Sequence, residues 1–311
     1  MNKKIVIAVD KSIQAKQAVT YAAALSELVK PLTVTLHHVQ PQISQYLVDE
    51  AKKNPKAFAQ LKALHEKNSA AAAKLLDQTK ESMIIKGFEA DRIQIVNRQR
   101  RASLDRDLLD YAQENLFDAL VFGHRNLSTF QKTFMDSVCS RALEKPASIP
   151  IWLVKGEVNQ PEKILVAVDG SHAAYRAVDH LAFMIAKNEA IKLTLLHVKP
   201  KLKDVCTIDF NDTPIEELEA VISESDNQCM DQFFQQALKR LKESGIREDR
   251  ISVNVVEPVF RIGRVILNEV EKEDFGTVVV GRRGLGRSFV TGSVSSYLID
   301  RLSYLALFIV Q

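Results

Sequence analysis

Cysteine, tryptophan and long apolar runs are all scarce in this sequence. Its three cysteines, Cys139, Cys206 and Cys229, show no CxxC spacing, so neither a disulfide framework nor a cysteine-based zinc site is indicated. No stretch approaches the ~18 apolar residues of a membrane-spanning helix, and the apolar run before Asp10 is too short for a signal peptide. We therefore expect a cytoplasmic protein with no membrane partner.

The chain also has no large excess of positive or negative charge. The 311 residues include 42 lysines and arginines against 39 aspartates and glutamates, a formal net charge of +3. That charge is too small for a general nucleic-acid-binding protein. The P-loop pattern GxxxxGK[ST] is absent, and no Ser-His-Asp, Cys-His or paired-carboxylate arrangement can be assembled from the spacing of residues. The sequence therefore predicts no catalytic residues and no dedicated metal site.

What the chain does contain is an internal repeat. The segment Lys4–Asp10 recurs 159 residues later as Lys163–Asp169. A second apolar segment ends in His38-Val39, and its counterpart, again 159 residues later, ends in His197-Val198. A period of this size is that of a whole domain rather than of a short structural repeat. The sequence therefore indicates a duplicated domain.

Each half alternates short β-branched runs with helix-like stretches. The long helical patterns include Ala15–Leu28, Ala57–Ile85 and Pro214–Ser244. Strands that alternate with helices form βαβ units with right-handed connections and a parallel sheet. We predict two tandem, doubly wound Rossmann-like domains, residues 1–155 and 163–311, each a five-stranded parallel sheet between helices.

Ligands of such sheets bind beyond the carboxyl ends of the strands, where the strand order reverses. Both halves place similar residues at those ends: Asp10, Val39 and Gly123 in the first half, and Asp169, Val198 and Gly281 in the second. Ser12 and Ser171 follow the aspartates and are suited to cap the next helix. Asp169 is thus either a ligand contact or part of a helix cap, and for Asp10 we expect a structural role.

The stretch Val278–Ser296 reads as a strand, a glycine loop and a helix start. Glycines let backbone amides approach an anion, and a helix N-terminus adds partial positive charge. Arg282 and Arg283 lie inside the loop, where they either pair with phosphates or lie exposed at the surface. This pattern predicts a phosphate-bearing ligand. The alternative is a loop that only turns the chain at the sheet edge.

These motifs together resemble the universal stress protein family in its tandem, two-domain form. The resemblance covers essentially the whole chain and rests on KILVAVDGS (163–171), LLHV (195–198) and VVVGRRGLGRSFVTGSVSS (278–296). The ATP-binding branch of the family carries the pattern G-x2-G-x9-G-[ST]. The second half matches its glycines and its serine, but with seven residues in place of nine. In the first half Asn126 and Asp136 occupy two glycine positions, so we expect that half not to bind ATP.

The resemblance also implies a set of contacts in the second half. Ala167, Val168 and Asp169 are expected to meet adenine and ribose, and Val198 to pack on adenine. The residues implied near ribose and phosphates are Val280, Gly281, Gly284, Gly292, Ser293 and Val294. Magnesium or manganese commonly accompanies the nucleotide in this family.

Other notable residues have plainer interpretations. We expect His38 and His197 to be packed or hydrogen-bonded, Gly263 to form a tight turn, and Arg98–Arg101 to lie in a solvated loop. Trp152 and Phe308 are expected in the core or in a contact between domains.

The resemblance implies a non-enzymatic stress-response protein whose second domain binds an adenine nucleotide, ATP first, as a sensed ligand. The first domain would be a scaffold. Family members pair through their last strands, so we expect Ile149–Val154 and Leu305–Val310 to pair within the chain. Two whole chains could also form a dimer. Two alternatives stay open: an interaction module that binds no nucleotide, and a slow ATP hydrolase or phosphotransferase. The protein partners cannot be named from the sequence.

Overall fold

The computed structural model describes residues 2–125, 134–145, 149–200, 215–257, 261–282 and 293–311. These residues form two compact units, one running to Val154 and the other starting at Lys155. Each unit contains a sheet of five strands. The α/β fold class predicted from the alternation of strands and helices is confirmed.

In the first unit, strand order reverses between the first and fourth strands. The strands are β1 (Lys3–Ala8), β2 (Leu32–Gln40), β3 (Ile93–Gln99), β4 (Ala119–His124) and β5 (Ile151–Lys155). The helices are α1 (Ile13–Leu28), α2 (Gln45–Ala51), α3 (Pro55–Ile85), α4 (Leu104–Glu114) and α5 (Phe134–Glu144). The order is β3-β2-β1-β4-β5, and β1 pairs parallel with both of its neighbours. Right-handed connections therefore place α1 and α3 on one face of the sheet and α4 and α5 on the other.

The second unit has the same strand order. Its strands are β6 (Lys163–Val168), β7 (Lys192–Val198), β8 (Ile251–Val256), β9 (Thr277–Gly281) and β10 (Leu305–Val310). Its helices are α6 (His172–Met184), α7 (Ile215–Glu243), α8 (Ile262–Glu273) and α9 (Ser293–Arg301). The order is β8-β7-β6-β9-β10, with all four pairs parallel. The reversal falls between β6 and β9, which locates the expected ligand position.

The inner strands of each unit, β1 and β4 in the first and β6 and β9 in the second, are mostly buried. Every residue of β5 and β10 is buried, including Trp152 and Phe308, which agrees with the expectation that these two lie in the core or in a contact between domains. The edge strands β3 and β8 are much more exposed, with Val253 at 39% and Val255 at 49%. The exposure of β3 and β8 is expected because each has a neighbouring strand on one side only, whereas helices cover both faces of the inner strands.

Local sequence signals explain where several helices begin. Ser12 Oγ accepts the Ala15 N–H at 3.1 Å and Ser171 Oγ accepts the Ala174 N–H at 3.1 Å, so both predicted serine caps are confirmed. The long helix α3 begins earlier than predicted, at Pro55, a residue well suited to the first helical turn. The short helix α2 was not predicted. In the described ranges no helix is long and apolar enough to cross a membrane.

Candidate functional site

The candidate site lies at the carboxyl ends of the central strands of the second unit. Ala167 on β6 is in register with Leu196 on β7 and with Val280 on β9. Val168 ends β6, Val198 ends β7 and Gly281 ends β9. The sheet thus brings the predicted strand-end residues side by side.

The remaining predicted residues belong to the loop and helix after β9. Ser293 begins α9 and Val294 follows it, half-buried. Gly284 and Gly292 lie outside the described residues, as does Arg283. The described part of the site therefore consists of three strand ends and the start of α9. The N-terminus of this helix carries the unsatisfied amides and partial positive charge that suit an anion.

Asp169 forms a compact turn with the residues that follow it. Its Oδ1 accepts the main-chain N–H of Ser171 at 3.1 Å. Gly170 between them has a φ of +76°, and a Cβ built there would lie 2.9 Å from Cys229 Sγ on α7. The left-handed φ and this contact both favour glycine. The carboxylate therefore orients the turn that leads into the serine cap of α6.

The first unit contains nearly the same turn. Asp10 Oδ1 accepts the N–H of Ser12 at 2.9 Å, and the Ser12 hydroxyl also donates to it. The structural role predicted for Asp10 is confirmed. Because Asp169 makes the equivalent bond, its position at a strand end does not by itself identify a ligand contact.

Gly281 allows a strand and a helix to approach closely. A Cβ built on it would lie 2.7 Å from the main-chain carbon of Ala173, in the first turn of α6. Ser295 Oγ, on α9, donates to the Gly281 carbonyl oxygen at 3.0 Å. In the first unit, a Cβ on Gly123 would lie 2.0 Å from the Gln14 carbonyl oxygen. Both glycines therefore serve helix packing at the strand end, whether or not a ligand binds there.

Two histidines hold the carbonyl groups of neighbouring strands, which confirms the prediction that they are hydrogen-bonded. His197 Nδ1 lies 3.0 Å from the Val168 carbonyl oxygen, and its Nε2 lies 2.9 Å from Asp226 Oδ2 on α7. In the first unit His38 Nδ1 lies 2.7 Å from the Val9 carbonyl oxygen. These bonds fix the main chain at the strand ends on which the site is built.

Two of the arginines singled out from the sequence contact other side chains. Arg282 is only 4% exposed, and its Nη1 donates to Gln311 Oε1 at 2.5 Å. It is therefore not the exposed surface residue that one of the two interpretations expected. Arg98 lies within β3, and its guanidinium lies 4.4 Å from the centre of the Tyr111 ring. The expected loop over Arg98–Arg101 is wrong for Arg98 and Gln99, which end β3, although both are exposed as expected. Tyr111 on α4 offers Arg98 a cation–π contact.

Gly263 does not form the tight turn expected of it. It is the second residue of α8, and a Cβ there would lie 2.8 Å from Tyr297 Cδ1 on α9, so the close packing of two helices requires a small residue. The first unit has Asp105 at the matching position. Its buried carboxylate lies 3.0 Å from Arg141 Nε and 2.5 Å from Lys145 Nζ. In the first unit an ion pair thus joins α4 to the end of α5, whereas in the second unit the equivalent helices touch directly.

Two features of the first unit were missed from the sequence. One is this ion pair, and the other is His37, which is buried within β2. The available signal was the repeat itself, since the residue matching His37 in the second half is Leu196 and the residue matching Asp105 is Gly263. Over the described ranges, no group of three His, Cys, Asp or Glu side chains could hold a metal ion.

The universal stress protein family matches residues 1–155 and 161–303 of the chain. A universal stress protein from Archaeoglobus fulgidus is similar over 99% of this chain and 98% of its own, with 18% identity and a TM-score of 0.64. A functionally unknown protein from Pseudomonas aeruginosa is similar over 99% and 92%, with 13% identity and a TM-score of 0.57. At these identities the two structures show a shared fold. No curated protein matches the chain. Since two family matches together span nearly all of it, the chain belongs to the universal stress protein family.

Proposed function

We propose that this chain is a cytoplasmic stress-response protein whose second unit binds an adenine nucleotide, ATP being the first candidate, as a sensed ligand. The observation that supports this most is the meeting of the ends of β6, β7 and β9 at the point where strand order reverses. A crevice of this kind is where parallel α/β sheets bind ligands. The second half also carries the glycines and serine of the family's nucleotide pattern.

The chemistry of the described residues fits such a ligand. Val198 offers an apolar side chain at the end of β7. Gly281 has no Cβ, so the end of β9 can lie directly against the start of α6. The N-terminus of α9, at Ser293, suits an anionic phosphate group. Magnesium or manganese, when bound with the nucleotide, would neutralise phosphate charge and be held largely by phosphate oxygens and water.

In the first unit we expect no ATP binding. Asp136, which occupies a glycine position of the pattern, lies in the first turn of α5. A carboxylate close to phosphates is repulsive by about 1 kcal/mol at 4 Å in water, and by more at lower dielectric. We therefore propose that this unit acts as a scaffold with respect to the nucleotide.

Calorimetric titration of the full chain with ATP and Mg²⁺ tests the proposal. Wild-type protein is expected to give saturable heat for one site per chain. Gly284→Val should abolish it, because a branched side chain fills the space through which the backbone approaches the phosphates. The matched control is Asn126→Val at the corresponding position of the first half, which should leave the titration unchanged.

Three results would count against this proposal. Absence of heat at millimolar ATP, with protein that is folded by circular dichroism, would favour the interaction module. Unchanged binding by Gly284→Val, or its loss in Asn126→Val, would show that the predicted loop is not the phosphate site.

A further inference from the structure

A small cavity opens at the carboxyl end of the sheet in the first unit. Its volume is about 50 Å³, and its walls are mostly apolar, with Leu104 and Leu108 from α4 and Phe122 from β4. Asp10 and His37 also line it. Among the described residues that line the cavity there is no lysine or arginine. The site therefore has a mainly apolar surface with few polar groups, which is typical of a pocket for a small organic ligand.

His37 is the unusual residue of this cavity. Only 1% of it is exposed, and neither of its ring nitrogens has a hydrogen-bond partner within the described part of the chain. The ring of Tyr111 lies beside it, with the two ring centres 4.3 Å apart. A buried polar group without a partner lowers stability, so such groups are rare and call for an explanation.

The second unit shows that the fold does not need a histidine here. Leu196 occupies the matching position on β7, and only 1% of it is exposed. An apolar side chain at this position would avoid the cost of burying unpaired nitrogens. The histidine is therefore better explained by a partner that the described residues of the chain do not supply.

The ring is in its uncharged form near neutral pH. Burial, together with the nearby Arg98 and His38, lowers the pKa of His37 to about 4, against the opposing effect of Asp107. An uncharged imidazole has one N–H donor and one nitrogen acceptor. A hydroxyl group, which can both donate and accept, can satisfy either nitrogen.

We propose that the first unit binds a small, uncharged molecule with an apolar body and a hydroxyl group, which His37 recognises by a hydrogen bond. A water molecule needs about 10–15 Å³ of such space. The cavity of about 50 Å³ therefore admits three to five heavy atoms, with any further part of the ligand directed to solvent. The enclosed part of the ligand is therefore smaller than a nucleobase, and the carboxylate of Asp10 disfavours an anion. The proposal is independent of nucleotide binding by the second unit.

Isobutanol is a suitable probe because it combines a hydroxyl group with a compact, branched apolar body. The full-length protein, labelled with ¹⁵N, is titrated while the ring nitrogens of its histidines are followed by NMR. The His37 signals are expected to shift and saturate at millimolar probe. His37→Leu should weaken binding about tenfold, because the buried hydroxyl of the probe loses its hydrogen-bond partner. Because this variant lacks the His37 signals, its binding is followed by the NMR resonances of isobutanol itself.

Three controls separate recognition by His37 from nonspecific solvent effects. Leu108→Phe retains His37 but fills the cavity, so saturation should disappear, with circular dichroism confirming that the variant is folded. His65→Leu removes a histidine whose ring bonds Gln99 outside the cavity, and binding should not change. Isobutyrate, which has the same carbon skeleton with a negative charge, should not saturate. The proposal is wrong if wild type shows no saturable shift, if His37→Leu binds isobutanol as tightly, or if isobutyrate binds equally well.

Discussion

Asp10 and Asp169 show how one residue type makes the same local bond in both units. Each carboxylate accepts the N–H of the serine two positions later, and each serine caps the following helix. Aspartate favours such turns because its short side chain reaches its own backbone two residues on. A role for Asp169 in ligand binding would therefore be an effect on ligand affinity beyond the effect of this hydrogen bond on stability.

Alanine substitution of the two aspartates separates the two roles. Asp169→Ala and Asp10→Ala are each expected to destabilise their unit by about 1 kcal/mol, the net value of one hydrogen bond. Only Asp169→Ala should also weaken ATP binding, by about tenfold or more. Urea unfolding and calorimetric titration measure these effects. If Asp169→Ala binds ATP as wild type does, its carboxylate serves the turn alone.

Single residues could be predicted from the sequence where the interaction is local. The caps at Ser12 and Ser171 depend on contacts three residues away, and both were predicted. The partner of Arg282 could not be predicted, because Gln311 lies 29 residues away and meets it only when β9 and β10 pair. The burial of His37 likewise depends on α4 packing over the strand end.

At the scale of helices and strands, the two units join equivalent elements by different chemistry. In the second unit Gly263 lets α8 and α9 touch, whereas in the first Asp105 forms ion pairs with Arg141 and Lys145. Burial alone would raise the pKa of Asp105. Hydrogen bonds from Lys145, Arg141 and Ser103 outweigh that effect and hold the pKa below its ordinary value. The ion pair therefore stabilises the folded state.

Asp105→Asn is expected to destabilise the first unit by about 2 kcal/mol at neutral pH, because the buried carboxylate loses two cationic partners. Because the pKa of Asp105 is lower folded than unfolded, its contribution is complete above pH ~4 and is lost as pH falls through the folded value. Urea unfolding followed by fluorescence of Trp152, the single tryptophan of the chain, measures this in the first unit.

The matched control is Asp110→Asn. Asp110 is 53% exposed, and its carboxylate lies 3.6 Å from Arg106 Nε, so its loss should change stability little. The gap between wild type and Asp105→Asn should close below pH ~4. A gap that stays constant into that range would contradict the assignment of the carboxylate as a charged partner.

For the whole molecule, the repeat allowed most of the architecture to be predicted. Matching segments at a nearly constant offset indicated the two domains, and the βαβ alternation predicted the strand ends that meet in each unit. The helix α2 was not predicted because its seven residues are too few to show a helical period. Whether ATP binds also depends on residues 285–291, a span of seven residues where the family pattern has nine. The sequence alone does not tell how much space this shorter span leaves for a triphosphate.

Thermal unfolding of the whole chain gives a test that does not depend on heats of binding. A ligand that binds only the folded state stabilises it by about 2.7 kcal/mol at a concentration one hundred times its dissociation constant. ATP with Mg²⁺ is therefore expected to raise the unfolding temperature measured by circular dichroism. Gly284→Val should show no such rise, and an equal rise in that variant would mean that ATP acts elsewhere.

The contact between the Gly170 turn and α7 makes the candidate site accessible to thiol chemistry. Cys229 lies against this turn and is exposed, whereas Cys139 is buried in the first unit. A maleimide reagent should therefore react at Cys229 well before Cys139, once Cys206 has been replaced by serine. A fluorophore attached there would be adjacent to the Asp169 turn, and its emission would report directly on occupancy of the second unit.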